Sequence, residues 1–149
     1  MHWCEQVVVV AAAMIIITPA HARADGPNMY IHDILHRPTY HKAYDILVRG
    51  QQGLPAWMSS AKAAMSAAGS PGETEVVEGT SRELFTLNEP HNAGRYFAVM
   101  FVSVVGGPAK GALSDGNYLG GAPSKRPIRY FGSPDDQDKL ALKAALDRQ

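Results

Sequence analysis

The chain has 149 residues, with 14 basic and 14 acidic side chains and no formal net charge. This length suits one domain. The balanced charge gives no electrostatic reason to expect nucleic acid or an anionic membrane surface as a partner. The single cysteine, Cys4, lies near the N-terminus. Residues 5–149 therefore contain no thiol for a disulfide, for nucleophilic catalysis or for binding a metal.

The first residues have the pattern of an export signal. Residues 7–18 are almost uniformly apolar, and small residues then alternate with larger ones up to Ala22 and Ala24. This pattern is typical of a signal peptide, and the apolar run is short for a transmembrane helix. We expect residues 1–24 to be a signal peptide and residues 25–149 to form the exported domain. Cleavage after Ala22 and an uncleaved anchor are the alternatives.

Helical patterns follow a polar and aromatic segment. Residues 25–38 contain two prolines and predict an extended N-terminal segment. Apolar residues at helical spacing then predict a helix over residues 40–48, with Thr39 as its cap and Gly50 as its stop. In this helix Tyr40 and Tyr44 are expected to pack in the core. Residues 59–68 suit a short helix or a loose surface segment, and residues 69–72 are expected to break it.

Strand patterns occupy the middle of the chain. Five segments qualify: residues 74–78, 82–87, 95–105, 110–113 and 128–131. A turn at Gly79 joins the first two segments. Residues 95–105 are nearly all apolar, which favours a strand covered on both faces.

A second clear helix pattern closes the chain. Ser133 is expected at the N-cap, Pro134 at the first helical position and Asp136 in the first turn. The expected apolar stripe consists of Leu140, Leu142, Ala145 and Leu146. The order helix, strands, helix predicts an α+β single domain, with an antiparallel sheet of about five strands flanked by helices.

Between the second and third strand segments lies a loop with one histidine, which we call the His91 loop. Its residues are Asn88, Glu89, Pro90, His91, Asn92, Ala93 and Gly94. Pro90 fixes its own φ, and Asn92 and Gly94 suit the unusual backbone angles of a tight reversal. An imidazole held on such a loop can enter the cleft of another molecule and offer two hydrogen-bonding nitrogens. The alternative is an exposed turn with an incidental histidine.

Other polar and aromatic residues give no clear catalytic site. His32 and His36 have metal-ligand spacing on a helix, but no sound ligand set completes them, so exposed histidines are the simpler interpretation. Trp57 is interpreted as a core anchor rather than a sugar-binding platform. Glu89 and His91 have no nucleophile or orienting partner. The sequence therefore predicts a binding protein rather than an enzyme, without a metal or other cofactor.

Several of these pieces, taken in order, resemble the inhibitor of vertebrate lysozyme (Ivy) family of the Gram-negative periplasm. The segments that carry the resemblance are Val48-Arg49-Gly50, Leu54-Pro55-Ala56-Trp57, Pro90-His91, Ala98-Val99-Met100 and Tyr130-Phe131-Gly132-Ser133-Pro134. It extends from about Lys42 to the C-terminus and depends on order and spacing rather than on one motif.

The resemblance implies a function and a mechanism. In that family the equivalent loop is closed by a disulfide and enters the lysozyme cleft, where its histidine meets the catalytic carboxylates. The resemblance places the two family cysteines at Asn88 and Ala93 and the family lysine at Glu89. It implies a periplasmic inhibitor of c-type lysozyme or of a lytic transglycosylase, with no membrane association after signal cleavage and with a homodimer as a further expectation.

Two alternatives stay open at this point. Because the loop lacks the family cysteines and lysine, the chain is also compatible with a non-inhibitory paralogue that binds another envelope partner or ligand. The third hypothesis is a metal-dependent enzyme that uses His32, His36 and His91.

Overall fold

The computed structural model describes residues 29–77, 79–91, 95–102, 107–114 and 127–149. The expected signal peptide, residues 1–24, therefore lies outside the described residues. Among the described helices, none combines the length and apolar character that a membrane crossing requires.

Five strands form one antiparallel sheet in the order of the chain. They are β1 (Ala68–Val77), β2 (Thr80–Asn88), β3 (Tyr96–Phe101), β4 (Ala109–Ser114) and β5 (Ile128–Phe131). The helices of the described residues are α1 (Ile31–Leu35), α2 (Pro38–Val48), α3 (Ala61–Ala64) and α4 (Asp136–Asp147), and a 3₁₀ turn (Ala56–Met58) precedes α3. The predicted α+β class and antiparallel five-stranded sheet are confirmed.

The central strand β3 separates two hydrophobic cores. Phe97, Val99 and Phe101 pack with α1, α2 and α3 on one face of the sheet. Ala98 and Met100 pack with α4 on the other face. All five side chains are completely buried, so the prediction of a strand covered on both faces is confirmed for the described part. Residues 103–105 of the predicted strand lie outside the described residues.

Two tyrosines of α2 anchor the first core, as predicted. The Tyr40 ring meets Phe101 edge-on at 5.0 Å, and the Tyr44 ring meets Phe97 at 6.2 Å. Their hydroxyls are also satisfied: Tyr40 donates to Glu83 Oε2 at 2.6 Å, and Tyr44 donates to the Met58 carbonyl at 3.0 Å. Burial, with a smaller contribution from the charge of Asp45, raises the pKa of Tyr44 far above that of a free phenol.

The N-terminal segment is not extended from residue 31 onward, so that expectation was wrong. Ile31, Ile34 and Leu35 form a buried stripe on α1, and the Asp33 carboxylate accepts the Tyr30 N–H at 3.1 Å. Three apolar residues within five positions suffice because the helix packs on the first core.

The boundaries of α2 differ slightly from the prediction. The helix starts at Pro38 with Arg37 at the N-cap, so Thr39 is not the cap. Proline suits the first helical position because its missing N–H has no helical partner there. Gly50 follows with φ +73°, and the prediction of a glycine stop is confirmed.

The helical segment ends before residues 69–72, as predicted, but these residues are not a turn, because β1 runs through them. The strand accommodates them by an irregular register between Ser70 and Glu73. Gly72 is required by the close approach of Phe85, since a Cβ there would lie 2.2 Å from a ring carbon. The Gly72 N–H also donates to the Met29 carbonyl at 2.8 Å, which holds the N-terminal segment against the edge of β1.

The cap of α4 lies two residues later than predicted. Ser133 has φ +50°, a left-handed conformation that differs from the extended one of an N-cap. Asp135 is the cap instead, and it forms a reciprocal capping box with Asp138. The predicted stripe is correct for its last three members but wrong for Leu140, which is 66 % exposed. Leu140 lies about half a turn from Asp138 and Leu142, which both face the sheet.

A buried ionic cluster attaches the start of α4 to the sheet. Asp138 is completely buried and accepts a hydrogen bond from Lys110 Nζ. Arg82 Nη2 lies 3.2 Å from Asp138 Oδ1, but this contact lacks hydrogen-bond geometry. The Nε and Nη1 of Arg82 also have no partner among the described residues. Asp138 therefore balances two neighbouring positive charges.

Candidate functional site

The β2–β3 connection carries the His91 loop, and its base is held by backbone pairing. Asn88, the last residue of β2, is paired with Ala68 of β1 and with Tyr96 of β3. One residue further, the Glu89 N–H donates to the Arg95 carbonyl at 3.1 Å. Since neighbouring strands hold Asn88 on both sides, the start of the loop is fixed without a covalent crosslink.

Exposure rises along the described part of the loop. Asn88 and Glu89 are half-buried, whereas Pro90 and His91 are exposed. Asn92, Ala93 and Gly94, the other predicted members of the loop, lie outside the described residues. The structure therefore places Asn88 and Glu89 at the base and the proline and histidine at the solvent side.

His91 itself has a left-handed backbone, with φ +60°. Residues other than glycine seldom take this conformation, although histidine does so more readily than most. Sequence reasoning assigned the unusual angles to Asn92 and Gly94 and missed His91. The residue combines a strained backbone with an exposed side chain, a combination typical of functional loops.

The chemistry available at His91 is hydrogen bonding to a partner molecule. Its imidazole forms no hydrogen bond or ion pair with another described residue. A neutral imidazole donates from one nitrogen and accepts at the other, and a protonated one donates from both. Among the described residues, none occupies the ring nitrogens, and such nitrogens suit a carboxylate partner.

The histidines proposed as an alternative metal set are not assembled into a site. His32 stacks on Tyr30 with ring centroids 5.5 Å apart and lies 3.2 Å from Asp33 Oδ1. His36 and His41 instead line a groove beside α2. Within the described ranges, no group of three or more His, Cys, Asp or Glu residues is arranged to hold a metal. The structure gives no support to a site made of His32, His36 and His91.

Trp57 occupies a structural position. It is half-buried and packs against the first core, so the prediction of a core anchor is confirmed. Its Nε1 is buried without a hydrogen-bond partner among the described residues.

Sequence reasoning missed the polar residues that line the α2 groove. Lys42 and Arg49 lie there with Asp45, at spacings of three or four residues. Residues at such spacings share one helical face. The spacing of these polar residues was therefore visible in the sequence. It was missed because the helix was predicted from the spacing of its apolar residues alone.

Comparisons with known proteins assign no family, since no protein-family model matches the chain and no curated protein matches it either. The geometry of the His91 loop and of its surroundings is therefore the basis for a functional proposal.

Proposed function

We propose that this chain is an exported, periplasmic inhibitor of lysozyme-type peptidoglycan-cleaving enzymes, which places the His91 loop in the active-site cleft of its target. The observation that carries the proposal is the exposed imidazole of His91 on a left-handed backbone, beyond a loop base fixed by pairing. The resemblance to the Ivy family, including Pro90-His91, supplies the class of target.

The proposed contact suits the chemistry of a glycosidase cleft. Two carboxyl groups flank the scissile bond there, about 5–5.5 Å apart in retaining enzymes and about 6.5–9.5 Å apart in inverting ones. An imidazole between them donates to one carboxylate, or to both when it is protonated. Because these carboxyl groups carry out hydrolysis, their occupation by His91 would block the reaction.

Loop rigidity is the next requirement, because a loop that is ordered before binding loses less entropy on association. The resemblance places a disulfide between positions 88 and 93, where this chain has Asn88 and Ala93. Strand pairing on both sides of Asn88 and the Glu89–Arg95 backbone hydrogen bond support the described part of the loop in its place.

Glu89 is the feature that opposes the proposal most directly. A glutamate near two target carboxylates would cost several kcal/mol if it were desolvated beside them. Glu89 is half-buried at the base of the loop, however, whereas Pro90 and His91 are exposed. The imidazole would therefore lead into the cleft ahead of the carboxylate.

The direct test is the affinity of the purified protein for a c-type lysozyme and, in parallel, for a lytic transglycosylase. His91→Ala should weaken binding by about thirtyfold or more, which corresponds to about 2 kcal/mol for a central contact. His32→Ala is the matched control, since His32 is also exposed but lies on α1. Unchanged affinity in His91→Ala would contradict loop insertion.

The changed loop residues favour one second candidate, a non-inhibitory paralogue that binds another envelope partner. The variant Asn88→Cys/Glu89→Lys/Ala93→Cys separates the two ideas. If only this variant inhibited the target, the loop would be the only part of the chain that differs functionally from an inhibitor of the family. A wild-type protein and a rebuilt loop that are both inactive would favour the paralogue, and envelope pull-downs would then identify its partner.

A further inference from the structure

A groove beside α2 is the second place where the fold gathers polar side chains. It has a volume of about 420 Å³ and is lined by His36, Pro38, His41, Lys42, Asp45 and Arg49. Four of these six residues carry or can acquire a positive charge, and one is acidic. The groove shares no residue with the His91 loop.

Contacts between three helices build one wall of the groove. His41 Nδ1 lies 3.2 Å from the Leu35 carbonyl at the end of α1, and its Nε2 lies 3.4 Å from Asp45 Oδ2. Asp45 Oδ1 accepts the Ala61 N–H of α3 at 2.8 Å. These contacts join α1, α2 and α3, so this wall is built from groups of the protein itself before any ligand binds.

The remaining polar groups of the groove are donors that meet no acceptor in the part of the chain that the structure describes. His36, Lys42 and Arg49 are exposed, and their side chains form no ion pair or hydrogen bond with another described residue. The one carboxylate in the groove is already occupied by His41 and the Ala61 N–H. The side chains left to meet a ligand therefore favour an anion with several acceptor oxygens.

We infer that the α2 groove binds a phosphate monoester, with Lys42 and Arg49 pairing with its oxygens and His36 donating to it. Lys42 and Arg49 lie about two helical turns apart, roughly 10 Å along the axis. Their long side chains can close on one group from opposite ends. A phosphate offers three terminal oxygens to three donor side chains, whereas a carboxylate offers two. This inference is independent of the proposed action of His91.

The test is a titration of the full chain with inorganic phosphate, followed by amide NMR, with sodium chloride at equal ionic strength as the reference. Phosphate should give saturable shifts at residues lining the groove, and chloride should not. Lys42→Gln and Arg49→Gln should each weaken phosphate binding by up to about fivefold, the upper end of the range for an exposed charge pair. Lys143→Gln is the matched control, because Lys143 is an exposed lysine of α4.

Because Lys42 and Arg49 are exposed and unpaired among described residues, their variants should keep the dispersed spectrum of the folded protein. Equal responses to phosphate and chloride would overturn the inference, and so would unchanged phosphate affinity in both groove variants. Two further probes distinguish the source of the phosphate. Tighter binding to glucose 6-phosphate would indicate a soluble sugar phosphate, and tighter binding to phosphatidylcholine vesicles containing phosphatidic acid would indicate a lipid headgroup.

Discussion

The backbone of His91 has a strained, left-handed conformation, which the surrounding fold has to maintain. A left-handed conformation costs a residue with a Cβ roughly 1–2 kcal/mol, and glycine avoids that cost. In His91, therefore, the imidazole to which we assign target binding in the proposed function is carried by a backbone conformation that does not favour folding. Such a conflict is expected where a residue is kept for function.

A comparison of two substitutions measures this strain. We expect His91→Gly to be more stable than His91→Ala by about 1 kcal/mol, because only alanine keeps the Cβ in the left-handed conformation. Urea unfolding of both variants gives the difference. Both should lose target affinity, since neither has an imidazole. Equal stability of the two variants would contradict a left-handed backbone at position 91.

Asp138 presents a different conflict at the scale of a residue, because burial of a carboxylate is costly unless it is paired. Its partners are Lys110 of β4 and Arg82 of β2, the two strands that flank β3 in the sheet. We expect Asp138→Ala to lower the free energy of unfolding by about 3–5 kcal/mol, since two cations would lose their counterion.

Asp136→Ala is the matched control for Asp138, because its side chain is 97 % exposed on the same helix and pairs only with Lys139 among the described residues. Its effect should stay below about 1 kcal/mol. Chemical denaturation at neutral pH compares the two variants. Similar losses for both would mean that the buried cluster has no special importance for α4.

At the scale of an element, the start of α4 links folding to pH. The Asp135 carboxylate accepts the Asp138 backbone N–H at 2.8 Å. This hydrogen bond is the main cause that lowers the pKa of Asp135, and the charges of Lys110 and Arg82 act in the same direction. The pKa of Asp135 is thus lower in the folded state than in the unfolded state, where it is about 3.9. The stabilising contribution of the ionised Asp135 is complete above the unfolded-state pKa and is lost as pH falls through the folded-state pKa.

Asp135→Asn tests this linkage, because asparagine also caps helices but does not ionise. Between about pH 6 and about pH 3, the stability of the wild-type protein should fall more steeply than that of the variant. Near neutral pH the two should differ little. The measurement is urea unfolding at several pH values, and parallel curves would show that Asp135 does not couple folding to acid.

The elements differ in how far their sequence determines them. The β5 bounds followed from four residues of strand composition, and the apolar face of α2 followed from helical spacing. Residues 69–72 were misread, because Gly-Ser-Pro-Gly has the local composition of a turn. Two distant contacts override that tendency: the Phe85 ring requires Gly72, and the Met29 carbonyl binds the Gly72 N–H. Local composition carries no information about either contact.

At the scale of the whole molecule, the candidate sites were predictable to different extents. The His91 loop was located by the strand patterns on either side of it, but the backbone angle of His91 depends on the assembled hairpin. The α2 groove was predictable only in part: the spacing of Lys42, Asp45 and Arg49 is visible in the sequence, but the contact of His41 with the Leu35 carbonyl depends on α1, an element absent from the sequence prediction. Surfaces made by several elements require the tertiary structure.

The shared sheet also determines how the two cores unfold. Alternate residues of β3 belong to opposite cores, so loss of one core should remove the support of the other. The Leu142 side chain is completely buried on the α4 face. We expect Leu142→Ala to lower the free energy of unfolding by about 2–5 kcal/mol, the usual cost of such a cavity.

Trp57 reports on the opposite core, because it packs with the α1–α3 layer. In a Trp3→Phe background, which leaves Trp57 as the only tryptophan, Leu142→Ala should shift the fluorescence and far-UV circular dichroism midpoints together. Leu140→Ala is the matched control, since Leu140 is exposed on the same helix, and it should shift neither midpoint appreciably.

If Leu142→Ala moved the circular dichroism midpoint but left the Trp57 midpoint in place, the two cores would unfold separately. Coincident shifts would instead mean that the α4 face stabilises the whole sheet, including the strand pairing that holds the base of the His91 loop.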